Sequence, residues 1–195
     1  WHGCIVISFP SILLFVYLDK LASKGLQMGI RQDEEIGPNR YRAASGRFYE
    51  DFSVGDVYEH YPGRTVTQQD NAWFTLLTMN THPLHFDEEY AKGTEFGRPL
   101  ICSPLTVAIL VGMSVSDVSE KAIANLGWKE IALVAPVFPG DTLYAESQVV
   151  AKRESKSRPD AGIVTVKTTG RNQHRVDVCL FERSMLVPLR PSNVD

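Results

Sequence analysis

The segment from Ser103 to Met113 constrains the fold most, because its signals are helical yet it has no polar face. Ser103 reads as an N-cap and Pro104 as a first-turn proline. Leu105, Val107, Ala108, Ile109, Leu110, Val111 and Met113 then leave no stripe for water. A helix that is apolar all round is expected to be buried. The chain beyond this helix has the pattern of strands. Residues 128–135, 142–153, 162–170 and 176–187 are extended in pattern. Turn-forming residues separate them, among them Phe138-Pro139-Gly140-Asp141. Ahead of the helix, residues 57–61 and 64–66 read as further extended pieces. Strands on both sides of one buried helix imply an α+β domain, an antiparallel sheet around a central helix.

A second helix is expected before it. Thr67 and Asp70 stand as a capping box, with Asp where Glu or Gln is more usual. Ala72, Trp73, Leu76, Leu77 and Met79 come next at near-helical spacing, giving a helix of about 11 residues. Trp73, Phe74 and Met79 are read as its packing face. This helix delivers the chain to Asn80.

Between the two helices lies a polar, aromatic loop, Asn80-Thr81-His82-Pro83-Leu84-His85-Phe86-Asp87, continued by Tyr90-Ala91, Thr94 and Phe96-Gly97-Arg98-Pro99-Leu100. It holds two of the chain's five histidines. Pro83 between them excludes a continuous helix, so His82 and His85 sit on a shaped loop. Loops held by a rigid scaffold commonly carry chemistry. His60 and His174, outside the loop, read as structural.

Composition sets the outer bounds. A chain of 195 residues, 44% hydrophobic and 22% charged, is long enough for one domain with a substantial core. Its 20 basic and 23 acidic residues give a net charge of −3, so no basic field invites nucleic acid. Cys4, Cys102 and Cys179 lie far apart with no Cys-x-x-Cys pair, which argues for a reducing, cytoplasmic compartment and against a zinc site. Residues 1–27 look foreign to the rest. Their apolar run of about 14 residues is short for a membrane span of roughly 20. Met28 reads as the natural start and 1–27 as a non-native, upstream-derived extension. An added helix and a membrane anchor are the alternatives. Residues 28–46 read as an extended lead-in and 47–190 as the domain.

The Asn80–Leu100 pattern resembles the MaoC-like (R)-specific enoyl-CoA hydratases and dehydratases of the hot-dog fold. Single-domain members near the mesaconyl-CoA hydratases look most similar. The resemblance covers roughly 46–188 and implies a single hot-dog domain acting on an acyl-CoA thioester. It also implies a homodimer or higher even oligomer with sheets joined edge to edge, and no cofactor or metal; neither a nucleic-acid nor a membrane partner is expected. Carried over residue by residue, it implies His85 as catalytic acid and base, with Asn80 beside it. The backbone N–H of Ser103 would then be an oxyanion donor. His82 and Arg98 are candidates for substrate binding. Asp87 either caps the next turn or orients His85.

Three positions depart from the family pattern. Asn80 stands where the family has a catalytic Asp. Ser103 stands where it has Gly, and Val111 where a Ser orients that Asp. The departures agree with one another, since without the Asp there is nothing to orient. Two rival readings remain at this point. One is a non-catalytic acyl-CoA-binding or regulatory protein. The other is a hot-dog thioesterase, which needs a carboxylate that residues 104–113 do not contain.

Overall fold

The computed structural model describes residues 34–42 and 45–191, so the reading of residues 1–27 lies outside the described residues. The chain divides into two compact units, residues 1–44 and 45–195. In the first, β1 (Glu34–Gly37) and β2 (Arg40–Arg42) pair antiparallel around Pro38-Asn39.

The second unit holds the sheet. Its strands are β3 (Val57–Thr65), β4 (Ala124–Leu133), β5 (Thr142–Glu154), β6 (Ala161–Arg171) and β7 (Asp177–Pro188). They lie in the order β3-β5-β6-β7-β4, and every neighbouring pair is antiparallel. The two extended pieces expected at 57–61 and 64–66 are one strand. A bulge between His60 and Arg64, containing the cis Tyr61-Pro62 bond, joins them. Residues 49–51, by contrast, form a 3-10 turn.

The helices are α1 (Gln68–Leu77), α2 (Glu88–Lys92) and α3 (Ser103–Met113). The capping box of α1 forms in full. Thr67 Oγ1 accepts from Asp70 N–H at 3.1 Å, and Asp70 Oδ2 accepts from Thr67 N–H at 2.8 Å. That backbone donor is the main reason the Asp70 carboxyl is held below its ordinary range, with Arg64 adding to it. The short Asp side chain thus does the work of the usual Glu.

Two sequence expectations about packing are corrected. The apolar stripe of α1 faces outward: Trp73 is 68% exposed and Met79 86%. Its buried residues are Asn71 and Thr75. Phe74 packs against the central core as expected, Asn71 beside it bonds to neighbouring backbone, and Trp73, Leu76 and Leu77 take the opposite face. Likewise α3 is not buried all round. Leu105, Thr106 and Leu110 are buried, whereas Ala108 and Gly112 are exposed. One flank of the central helix has no neighbour among the described residues.

Below α3 the inner face of the sheet alternates inward and outward with period two. Leu143 and Ala145 on β5 and Phe181 on β7 join Leu105 and Leu110 of α3 in one apolar cluster. Val149, Val164, Val166 and Met185 form a second, closed by Phe52 and Val118. Each fully buried side chain of this kind stabilises the fold by about 1.5–3 kcal/mol. Along each strand one inward polar residue separates the clusters: Ser147 on β5, Thr168 on β6 and Arg183 on β7.

Candidate active site

The loop after α1 is built as a sequence of caps. Met79 takes a left-handed backbone, and Asn80 N–H returns to Thr75 O at 2.9 Å, which ends the helix and turns the chain. His82 caps a 3-10 turn at Pro83–His85 by accepting the Leu84 N–H on Nδ1 at 3.1 Å. Asp87 caps α2, accepting from Tyr90 N–H at 2.9 Å. Of its two expected roles, Asp87 therefore takes the cap.

His85 is half-buried at the end of that turn. Its Nδ1 lies 2.8 Å from the carbonyl oxygen of Leu100. A carbonyl only accepts, so Nδ1 carries the hydrogen and Nε2 presents a lone pair. Among the described residues, Nε2 has no hydrogen-bond partner. The His85 carbonyl accepts from Asn71 Nδ2 at 2.7 Å and from Gln68 Nε2 at 2.9 Å. The ring is thus fixed through its own backbone and through one nitrogen, with the other left for chemistry.

Asn80 is engaged at both ends. Its Oδ1 accepts from His82 N–H at 3.0 Å, and its Nδ2 donates to Cys102 Sγ at 3.2 Å. One amide hydrogen and one carbonyl lone pair remain. Ser103 is not the cap of α3. Cys102 holds that position, donating its N–H to Asn71 Oδ1 at 2.8 Å and accepting from Leu105 N–H and Thr106 N–H. Asn71 draws Cys102 into the cap and pushes Ser103 one step on, into the first turn. The Ser103 N–H has no partner among the described residues. It stands at the positive end of the helix dipole. A cavity of about 240 Å³ opens there, lined by Phe96, Leu100, Thr106 and residues 133–137.

The two remaining candidates differ in their settings. The His82 ring lies 5.7 Å from the His85 ring and 6.2 Å from that of Tyr90. It is exposed, and its Nδ1 is taken up by the Leu84 N–H. Arg98 stacks its guanidinium 3.8 Å above the Phe138 ring. It has no carboxylate partner among the described residues, so its donors are open to an anion. The structure brings Asn80, His82 and His85 together on this loop, and Asn71, Gln68 and Cys102, which sequence reasoning missed, hold it in place. A signal existed for Asn71: with Thr75 it forms an i, i+4 polar pair opposite the apolar stripe.

The other histidine cluster is structural. His60 Nε2 lies 2.8 Å from Ser147 Oγ and its Nδ1 3.2 Å from Asp117 Oδ2. These are the distances of a serine–histidine–aspartate relay. Ser147, however, is fully buried and also bonded to Thr168, so no substrate reaches it. Burial pushes the His60 pKa down despite Asp117, keeping it neutral near pH 7. Arg183, almost wholly buried, donates to Ser114 Oγ at 2.9 Å, and burial draws its pKa down to about 10. No set of three or more metal-ligating side chains converges among the described residues.

Comparisons with known proteins bear on the fold and the family. The sequence profile of mesaconyl-CoA hydratase matches residues 39–195. The chain is 35% identical over 146 residues to the mesaconyl-CoA hydratase of Cereibacter sphaeroides, 75% of this chain and 42% of that protein. A MaoC domain dehydratase from Chloroflexus aurantiacus superposes with a TM-score of 0.72 at 35% identity, covering 77% of this chain and 42% of that one. A double hot-dog protein from Mycobacterium tuberculosis, 24% identical, superposes with a TM-score of 0.69 over 75% of this chain and 46% of its own, which bears on the fold alone. The chain therefore spans less than half the length of the curated relative it matches. A five-stranded antiparallel sheet around one helix and the Asn80–Leu100 loop agree with the match: the chain is a hot-dog domain of the MaoC-like mesaconyl-CoA hydratase family.

Proposed function

We propose that residues 47–190 form the working domain of a hydratase that adds water to a short, branched or dicarboxylic enoyl-CoA thioester, and removes it in reverse. The observation that carries this reading is the His85 ring, tied at Nδ1 to Leu100 and open at Nε2. In hydration, Nε2 takes a proton from water as the oxygen bonds to Cβ, and the proton is returned to Cα. One imidazole can serve both steps near neutral pH. The remaining Asn80 amide hydrogen holds the water. The free N–H of Ser103 receives the negative charge that develops on the thioester oxygen. Arg98 and His82 meet anionic parts of the substrate, a carboxylate or the CoA phosphates. Water is the second substrate, and the addition itself calls for no redox or organic cofactor.

The uncovered flank of α3 and the outward apolar face of α1 support a second hot-dog unit against this one, as in a homodimer. Cys102 and Cys179 are free and buried, which supports a reducing, cytoplasmic setting. A second reading rests on Asn80. Its engagement at both ends, without a carboxylate's basicity, favours a protein that binds acyl-CoA and does not turn it over. The thioesterase reading stays disfavoured, because Ser103–Met113 carries no acid. Absorbance at the enoyl-thioester band separates the two, using crotonyl-, mesaconyl- and itaconyl-CoA. Loss of the band with one of them establishes the hydratase. Tight binding by calorimetry with no loss establishes the binder.

A further inference from the structure

We propose that Asn71 is the positioning residue that holds the base and the oxyanion donor in one frame, a role that rests on the hydratase reading above. Asn71 is fully buried, and three of its hydrogen-bonding sites are used on backbone. One Nδ2 hydrogen goes to the His85 carbonyl at 2.7 Å and the other to the Leu100 carbonyl at 3.0 Å. Its Oδ1 receives the Cys102 N–H at 2.8 Å. These partners lie 14, 29 and 31 positions away in sequence. One is the backbone of the base. One is the carbonyl that selects the base's tautomer. The third caps the helix whose next residue is Ser103.

The bonding pattern separates alignment from simple stability. Without Asn71, the His85 carbonyl keeps Gln68 and the Leu100 carbonyl keeps His85 Nδ1–H. Only the Cys102 N–H loses its partner. What disappears is the side-chain bridge that joins the His85 and Leu100 carbonyls to the start of α3; Leu100 keeps its own N–H bond to Leu84 O at 3.2 Å. With that bridge gone, the Leu100 carbonyl has only His85 Nδ1–H as its partner, and its hold on which ring nitrogen is protonated weakens. A misplacement of about 1 Å in a catalytic frame costs around a hundredfold in rate.

The experiment compares Asn71→Ala, Asn71→Asp and Asn71→Ser with the unsubstituted protein. Asn71→Asp keeps the acceptor for Cys102 but sets a carboxylate oxygen against two carbonyl oxygens. Asn71→Ser keeps one donor and one acceptor. Two readouts are used: kcat and KM on the best enoyl-CoA, and the His85 tautomer from long-range proton–nitrogen spectra of histidine-labelled, substrate-free protein. His85→Ala assigns the signals. The expected result is a kcat loss of about a hundredfold in Asn71→Ala and Asn71→Asp, with KM little changed. Asn71→Ser should be intermediate, and the Nδ1–H signal should be replaced by mixed tautomers in the two severe variants. A folded variant with a lower melting temperature, unchanged kcat and an intact Nδ1–H tautomer overturns the proposal. If Asn71→Ala does not fold, Asn71→Ser decides it by the same two readouts. If the unsubstituted protein turns over no substrate, the hydratase reading fails, while the tautomer spectra still judge Asn71.

Discussion

The seat of the central helix can be tested at one point of contact. Gly170 on β6 faces Leu110 of α3. A Cβ built on Gly170 would stand 2.3 Å from Leu110 Cδ1 and 2.7 Å from Cδ2. Leu110 is fully buried, so its side chain has no open space to rotate into. Gly170→Ala should therefore overpack the core and cost about 1–3 kcal/mol. Leu110→Ala should cost about 2–5 kcal/mol, from lost transfer energy and the cavity left behind. In the double variant the new methyl enters the vacated volume and the clash vanishes. The combined loss should then fall short of the sum by roughly the overpacking cost, about 1–3 kcal/mol. Urea unfolding measures this. With a slope near 2 kcal/mol/M, the Gly170→Ala midpoint should drop by about 0.5–1.5 M at unchanged slope. Strict additivity of the two substitutions would mean that Leu110 does not rest on Gly170 and that α3 is seated differently. Ser103 lies two turns before Leu110 on the same helix, so such a result would also move the Ser103 N–H.

Other expected outcomes concern single groups. Asn80→Asp should raise hydration of crotonyl-CoA by restoring a second proton-transfer group, measured as initial rate. A flat or lower rate would mean the site is built around the amide and its bonds to His82 and Cys102. Arg98→Gln should raise KM for a dicarboxylic enoyl-CoA more than for crotonyl-CoA, since its guanidinium has no carboxylate partner among the described residues. Equal changes for both substrates would confine Arg98 to the CoA moiety or to its stack on Phe138. His60 is held neutral by burial, with Asp117 opposing that shift and Arg183 and Arg47 favouring it. Its folded pKa lies below the ordinary 6.5, so the unfolded chain binds more protons just below that pH. Stability should be full above about pH 6.5 and fall as the pH drops below it, and His60→Gln should flatten this acid limb in thermal melts. An unchanged limb would place the titration elsewhere.

Much of this architecture is legible in the chain because the relevant signals are local. The capping pair Thr67/Asp70, the proline after Ser103 and the alternation through β5, β6 and β7 each specify an element without reference to the rest. The loop from Asn80 to Leu100 is legible for the same reason: Pro83 and the two histidines fix its character. What the sequence hides is which face of an element meets the core. The stripe Trp73, Leu76 and Met79 has the spacing of a packing face, yet it points outward and the polar pair Asn71 and Thr75 points inward. Local spacing cannot show this, because the partners of Asn71 arrive from 14 to 31 residues away. The half-covered α3 is a similar case. Its apolar circumference is real, but one flank meets no neighbour among the described residues, and an apolar pattern does not say which flank that is. The shift of the cap from Ser103 to Cys102 again depends on Asn71, a contact made only in three dimensions.

The central claim is that the free Nε2 of His85 moves the proton. The most direct measurement is the turnover of His85→Ala on the enoyl-CoA that the unsubstituted protein hydrates, with circular dichroism and melting temperature recorded on the same sample. Loss of roughly 10²–10⁴-fold in kcat with the fold retained is the outcome predicted for a lost general acid–base. Unchanged turnover in a folded His85→Ala protein would remove this histidine from the chemistry and contradict the mechanism.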